Sequence, residues 1–254
     1  MSSIKIMQLN VHAGALMWTV LKLIADNRPD IICMQEVTSS PEGHVRHYHF
    51  LEDLKQRCPD YAHTMFTPQV TMTCVGKTVH EGQLIMSRFP LGDCHTLFLD
   101  HGHTPGDTED PVMRNWQTLL QCARVEAPRP FTILNLHGFV DGGADNRGKD
   151  GTPRLENHAQ VILDHAAKLG GEIVFCGDTN LLPTSKPMHM LASAWTDLGT
   201  QNGLKTSRPA FVTLPAHVCD YIMISKGLKA KSFRAADKPE EYCSDHLALF
   251  AEIE

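Results

Sequence analysis

The chain has 254 residues, 42% of them apolar and 20% charged, which is enough for a substantial core in one domain spanning 1–254. Its formal net charge of -6 argues against a protein that coats nucleic acid through a broad basic surface, while leaving room for a local basic site. Eight cysteines, at 33, 58, 74, 94, 122, 176, 219 and 243, form no CxxC pair, so zinc-type spacing and a disulfide scaffold both drop out, and a reducing, cytoplasmic setting is expected.

No leader pattern precedes the first strand-like run. The apolar stretch 13–25 is too short to span a bilayer and contains Lys22, so no integral membrane segment is expected. Ile4 and Ile6 open an alternating strand that closes at Asn10. Leu16, Val20, Leu23 and Ile24 then fall at helical spacing, predicting a helix over 15–27 that Pro29-Asp30 ends. A buried strand over 31–34 runs into Gln35-Glu36-Val37. His44, His47 and His49 lie close together in and beside the loop 39–48; a metal cluster is one reading, and solvated histidines with no carboxylate partner close in sequence the favoured one.

A short helix is expected over 51–57, and strands over 61–66, 70–75, 83–86 and 94–99. Residues 100–115 read as a long surface loop of the kind that borders sites. Strands over 116–126 and 130–136 deliver Asn135-Leu136-His137. The acidic loop 141–153 fails calcium-loop spacing because Thr152 stands where a Glu is needed. A helix over 154–169 presents Leu155, Ala159, Ile162, Leu163 and Ala166 on one face. The short apolar run over 173–176 stops at Gly177, where the backbone turns without a side-chain penalty. A short helix over 188–194, a turn from 195, and strands over 218–224, 228–234 and 247–253 complete the chain. Many strands are adjacent without a crossover, which favours mixed, mostly antiparallel sheets with helices outside them.

Polar residues recur at the strand ends: Asn10, Glu36, His137, Asp178, Asn180, Asp220, Asp245 and His246. Each alone reads as a cap or a satisfied structural residue. Eight together are an odd allocation for capping. Carboxylate and amide oxygens suit a hard divalent ion, and the histidines could bind an anion or move protons.

Seven segments occur in order: Leu9-Asn10-Val11, Gln35-Glu36-Val37, Ser87-Arg88-Phe89-Pro90, Asn135-Leu136-His137, Gly177-Asp178-Thr179-Asn180, Asp220-Tyr221-Ile222 and Ser244-Asp245-His246. This set resembles the endonuclease/exonuclease/phosphatase superfamily over nearly the whole chain. The resemblance implies an α+β fold, a four-layer α/β/β/α sandwich of two packed mixed sheets flanked by helices, with the site at one rim. It implies a Mg²⁺- or Mn²⁺-dependent hydrolase of phosphoric esters. Glu36 would ligate the metal, with Asn10 and Asp245 near it or joined through water. Asp178 would activate the attacking water, Asn180 would hold the water or phosphate, and Asp220 would orient His246 on a phosphate oxygen. His137 would stabilise the phosphate or assist the leaving oxygen. Either Asp178 or His246 could be the general base. Glu81 stands where nuclease relatives can carry a carboxylate that orients the first histidine, His137, although a surface glutamate beside a strand is the better reading.

The resemblance leaves the substrate open. Gly-Asp-Thr-Asn is the variant of tyrosyl-DNA phosphodiesterases, whereas Leu9-Asn10-Val11-His12 departs from their Trp-Asn-Ile-Asp type segment. Leu181-Leu182-Pro183 lacks the Asn-Tyr-Arg of inositol-polyphosphate 5-phosphatases. A phosphodiesterase or phosphatase on a phosphate-ester substrate is expected. A DNA-repair nuclease with nucleic acid as partner, and a non-catalytic module that kept the fold, are the alternatives.

Overall fold

The computed structural model describes residues 3–45, 48–101, 116–138, 151–213 and 216–254. In chain order the elements are β1 (Ile4–Asn10), α1 (Met17–Asn27), β2 (Ile31–Ser39), α2 (Phe50–Arg57), β3 (His63–Cys74), β4 (Lys77–Ser87), β5 (Leu91–His101), β6 (Gln117–Val125) and β7 (Phe131–His137). There follow α3 (Pro153–Leu169), β8 (Ile173–Asp178), α4 (Lys186–Ala194), β9 (Trp195–Asp197), α5 (Leu198–Gln201), β10 (Asp220–Ser225), β11 (Ala230–Ala235) and β12 (Leu249–Ile253). One six-stranded sheet runs β11-β12-β1-β2-β4-β3 and the other β5-β6-β7-β8-β10-β9. β1 with β2 and β7 with β8 are parallel pairs, and the remaining ladders are antiparallel.

Each parallel pair is joined through a helix, as a crossover requires. Val20, Leu23 and Ile24 of α1 and Phe50, Leu51 and Leu54 of α2 cover Met7, Leu9, Ile32 and Met34 on the outer face of the first sheet. Leu155, Ala159 and Ile162 of α3 and Met188 and Leu191 of α4 cover Leu120, Leu134, Phe175 and Met223 on the second. Between the sheets lie Ile6, Ile31, Cys33, Ile85, Val125, Ile133, Val174, Ile222 and Leu249. The expected α/β/β/α layering is therefore present.

The period-two alternation of the inward face changes character along each strand. On β1 Ile4 and Ile6 give way to Gln8 and Asn10, and on β7 Ile133 gives way to Asn135 and His137, all buried. On β8 Val174 and Cys176 lead to Asp178. The interlayer is thus oily at one end and polar at the other, and the polar end is where β1, β2, β7 and β8 finish.

Three expectations change. The strands expected over 61–66 and 70–75 are one strand, β3, with an irregularity between Pro68 and Val70 against β4. A proline costs the ladder one donor, and a bulge absorbs that loss. β4 starts well before residue 83, because Val75 and Gly76 both take positive φ and close a two-residue hairpin turn. The turn expected from 195 is instead β9 followed by α5, which Asp197 caps by accepting from Gly199 and Thr200 N–H. Residues 102–115 and 139–150, and His47, lie outside the described residues. All eight cysteines are free. Among the described residues, no helix is long and apolar enough to cross a membrane.

Candidate active site

Four site residues come from the ends of the two parallel pairs, Asn10 on β1, Glu36 on β2, His137 on β7 and Asp178 on β8. Glu36 sits in a bulge: Met34 pairs with Leu84 and Val37 with Gly82, and Glu36 takes φ 55. The extra residue lifts Glu36 out of the ladder and aims it at the rim. Asn10 is held by the His12 N–H, which donates to Oδ1 at 3.0 Å. Its Nδ2 then faces two carboxylates, Glu36 Oε1 at 2.9 Å and Asp178 Oδ2 at 3.0 Å.

Asp178 Oδ1 accepts the Asn180 backbone N–H at 2.9 Å, and Asn180 Nδ2 donates to the Gly138 carbonyl at 3.1 Å. Asn180 is in the left-handed region at φ 57, which asparagine tolerates better than most side chains. A Cβ on Gly138 would lie 2.5 Å from the Thr179 carbonyl oxygen, so only glycine fits behind His137.

On the other side of Asp178, its Oδ2 is 3.6 Å from His246 Nε2. His246 Nδ1 donates to Asp220 Oδ2 at 2.8 Å. Asp220 Oδ1 accepts Gln8 Nε2 at 2.9 Å. Gln8 cannot turn round, because its Oε1 accepts Gln35 Nε2 at 2.9 Å. The same Gln35 amide donates to Asn135 Oδ1 at 2.7 Å, and Asn135 donates to Gln121 Oε1 at 2.9 Å. A ladder of buried amides thus crosses between the sheets and ends by presenting a donor to Asp220. Burial alone would raise the Asp220 carboxyl, but the His246 charge outweighs it and holds it low. Burial alone would lower the His246 ring; the Asp220 and Asp178 charges reverse that and raise it well above its ordinary value.

His137 is oriented differently. Gln69 Nε2 donates to the Gln117 and His137 carbonyls at 3.0 and 3.3 Å, which turns Oε1 toward His137 Nδ1 at 3.0 Å. Nδ1 therefore carries the proton, and Nε2 points at Glu36 Oε1, 3.8 Å away. The Trp116 ring stands edge-on to His137 at 5.3 Å between centroids. Glu81 does not take the orienting place. It is half-buried, and burial, then the Glu36 charge, push it up to about 7.

Asp245 Oδ2 accepts Arg208 Nη1 at 2.8 Å, while its Oδ1 lies 3.5 Å from His12 Nδ1 and 4.0 Å from His246 Nε2. Glu36 Oε2 is 3.8 Å from the same His12 nitrogen. Burial would raise Glu36, but the His12 and His137 rings and the Asn10 amide outweigh it and bring it to about 2. Glu36 Oε2 and Asp245 Oδ1 thus both approach the His12 imidazole at the rim, and such hard carboxylate oxygens are the donor type that Mg²⁺ or Mn²⁺ takes. Asp178, Cys219, Asp220 and His246 also bring potential ligand atoms within 4.8 Å of one another. There, however, both Asp220 oxygens are engaged by Gln8 and His246, and the Cys219 thiol donates to Asp220 Oδ2 at 3.4 Å. Those four suit a proton-handling cluster better than a cation cage.

The structure brings all eight strand-end residues into one hydrogen-bonded and ionic assembly. Sequence reasoning missed Gln8, His12, Gln69 and Arg208. Gln8 had a usable signal, since it shares the inward face with Asn10 two residues on. Arg208 and Gln69 had none. The loop histidines also need correction: His49 Nδ1 lies 2.9 Å from Ser40 Oγ and 3.4 Å from Glu52 Oε2, because α2 places Glu52 one turn away.

The fold has solved counterparts. An endonuclease/exonuclease/phosphatase from Beutenbergia cavernae is 18% identical, with 100% of this chain and 72% of that chain covered at a TM-score of 0.78. The mannosyl-6-phosphatase of Bacteroides thetaiotaomicron is 16% identical, with 99% and 100% covered at 0.71. The D. rerio TDP2 bound to a single-strand DNA product is 16% identical, with 100% of both chains covered at 0.67. No curated protein matches the chain. The profile of the endonuclease/exonuclease/phosphatase family matches residues 7–246. With that match over almost its whole length, this chain belongs to the endonuclease/exonuclease/phosphatase family.

Proposed function

We propose that the chain is a divalent-metal-dependent phosphoester hydrolase. The observation that carries this reading is the Asn10 amide bridging Glu36 and Asp178, with the His246–Asp220 pair against the far side of Asp178. Glu36 and Asp245 would hold the cation, and Asn10 would position Glu36 and Asp178 around it. A bound Mg²⁺ or Mn²⁺ supplies positive charge to an anionic phosphate that otherwise repels its nucleophile.

The chain's own groups divide the rest. His246 is flanked by Asp220, Asp178 and Asp245, a setting that suits a protonated ring donating to a phosphate oxygen. That leaves Asp178 as the group that takes a proton from the attacking water, with Asn180 fixing its carboxylate and meeting the water or phosphate. A bond forms from the water oxygen to phosphorus as the bond from phosphorus to the ester oxygen breaks; Asp178 holds the water's proton, and the departing oxygen would take up a proton from solvent at the rim beside His137. The eight free thiols support a cytoplasmic setting.

Gly177-Asp178-Thr179-Asn180 favours one second reading, processing of DNA ends. A panel of bis-p-nitrophenyl phosphate, p-nitrophenyl phosphate, sugar phosphates, abasic DNA and 5′-tyrosyl DNA with Mg²⁺, Mn²⁺ or EDTA tests both. Hydrolysis of a small ester that EDTA abolishes is expected. Cleavage that persists in EDTA would overturn the metal-dependent reading, and salt-sensitive cleavage confined to DNA would move the assignment to the second.

A further inference from the structure

A second cluster lies away from the rim, where the edge strand β5 meets α3. His95 pairs across the ladder with Cys122 on β6, and His165 reaches down from α3. The two imidazole Nε2 atoms are 2.8 Å apart, and the ligand atoms of all three residues lie within 4.8 Å of one another.

The backbone builds this juxtaposition. Between Gly92 and His95 the β5 register slips against Arg124 and Cys122, and Asp93 takes φ 46. The slip reverses which face the odd-numbered residues occupy. Leu91 packs into the layer between the sheets, whereas Leu97 and Leu99 pack under the helices. His95 is thereby turned toward α3. The carbonyl of the same strained Asp93 lies 2.8 Å from His95 Nδ1. A carbonyl can only accept, so Nδ1 carries the proton and Nε2 offers its lone pair. Metal-ligating histidines are oriented in this way, by a carbonyl on the ring's other nitrogen. Cys122 is fully buried, with one weak S–H contact to the Leu120 carbonyl at 3.9 Å.

We infer that His95, Cys122 and His165 form a second metal site, for a borderline-soft divalent ion such as Zn²⁺, that ties β5 to α3. Two imidazoles and a thiolate match this ion and do not match Mg²⁺. The half-buried histidines leave the outer side open for a water as fourth ligand. Binding removes one proton, from the Cys122 thiol. His165 stays neutral by moving its ring proton to Nδ1. Because the ligand is the thiolate and its proton leaves on binding, occupancy rises with pH. The clamp has a counterpart nearer the rim, where Arg154 and His158 of α3 meet Asp100 of β5. Five residues of strand from His95 to Asp100 and eleven of helix from Arg154 to His165 each span about 16–17 Å, so the two contacts lie in step.

The test uses the full chain, freed of metal and then saturated with Mg²⁺ so that the rim oxygens are occupied. Co²⁺ is titrated in, and the thiolate-to-cobalt charge-transfer band is recorded. One equivalent of Co²⁺ should raise the band, release one proton and be displaced by Zn²⁺. Cys122→Ser and His165→Gln should each lose the band and weaken Zn²⁺ binding by about 100-fold or more, beyond the loss that outer-shell changes cause. Both should keep their Mg²⁺-supported hydrolysis and circular dichroism, since His165 lies half-exposed on a helix and serine nearly matches cysteine in size. No band in the wild-type chain overturns the inference. So does a band that survives Cys122→Ser, and a Cys219→Ser variant would then show whether the thiolate belongs to the rim cluster.

Discussion

The two buried histidines of the rim are held by different chemistry. His246 is backed by Asp220, a carboxylate with no exposed surface that is pinned from behind by Gln8. His137 is backed by Gln69, a neutral amide fixed by two carbonyls. Both arrangements set the tautomer with the proton on Nδ1, but only the carboxylate also stabilises a charged ring. Similar placement therefore does not mean equivalent function. His246 is built to carry positive charge, and His137 to present a nitrogen in a fixed direction.

Removing either His246 or its neighbour Asp178 should have the largest effect. Asp178→Asn and His246→Ala are each expected to lower turnover of a p-nitrophenyl phosphodiester by roughly 10³-fold or more, with unchanged circular dichroism. Retention of about a tenth of the wild-type rate in either would show that the Asp178–His246 pair does not do the chemistry.

The supports should separate next. Asp220→Asn keeps the shape but removes the charge, and kcat should fall roughly 10²-fold with little change in KM. Gln69→Ala should cost only about tenfold, because it loosens a ring whose charge it never supported. Equal losses would erase the distinction between the two histidines. Gln69→Glu tests it from the other side, since a carboxylate there should make His137 resemble His246 and change kcat by about tenfold or more. A kcat equal to that of wild type would count against the distinction.

The smallest effect concerns Glu81, the carboxylate that is not behind His137. Its folded value of about 7 lies above the ordinary 4.5. The fold therefore retains a proton that the unfolded chain has released, and stability is lost as pH rises through that window. In chelator-treated protein, Glu81→Gln should match wild type below pH 4.5 and exceed it above neutrality by on the order of 1–2 kcal/mol. Urea melts across that range would show it. A variant less stable than wild type at high pH would place an attractive partner beside Glu81.

What the sequence determined by itself was whatever local periodicity encodes. Burial leaves a period of two in strands and a longer one in helices, so β1, β7, β8, α2 and α3 were readable, as was the polar residue that closes each inward face. The order of the seven short segments carried the family and hence the layering. Tertiary structure alone decided the rest. Residue 36 turns into the rim and residue 95 turns toward α3 through left-handed bulges at Glu36 and Asp93, and a bulge inverts the alternation from which facing is read. Arg208 meets Asp245, Gln69 meets His137, and Cys122 meets two histidines that no sequence spacing connects. Such meetings depend on how two sheets register against each other and against their helices. That register is set by the packing of the whole core, and it leaves no mark on the few residues to either side of any one of them.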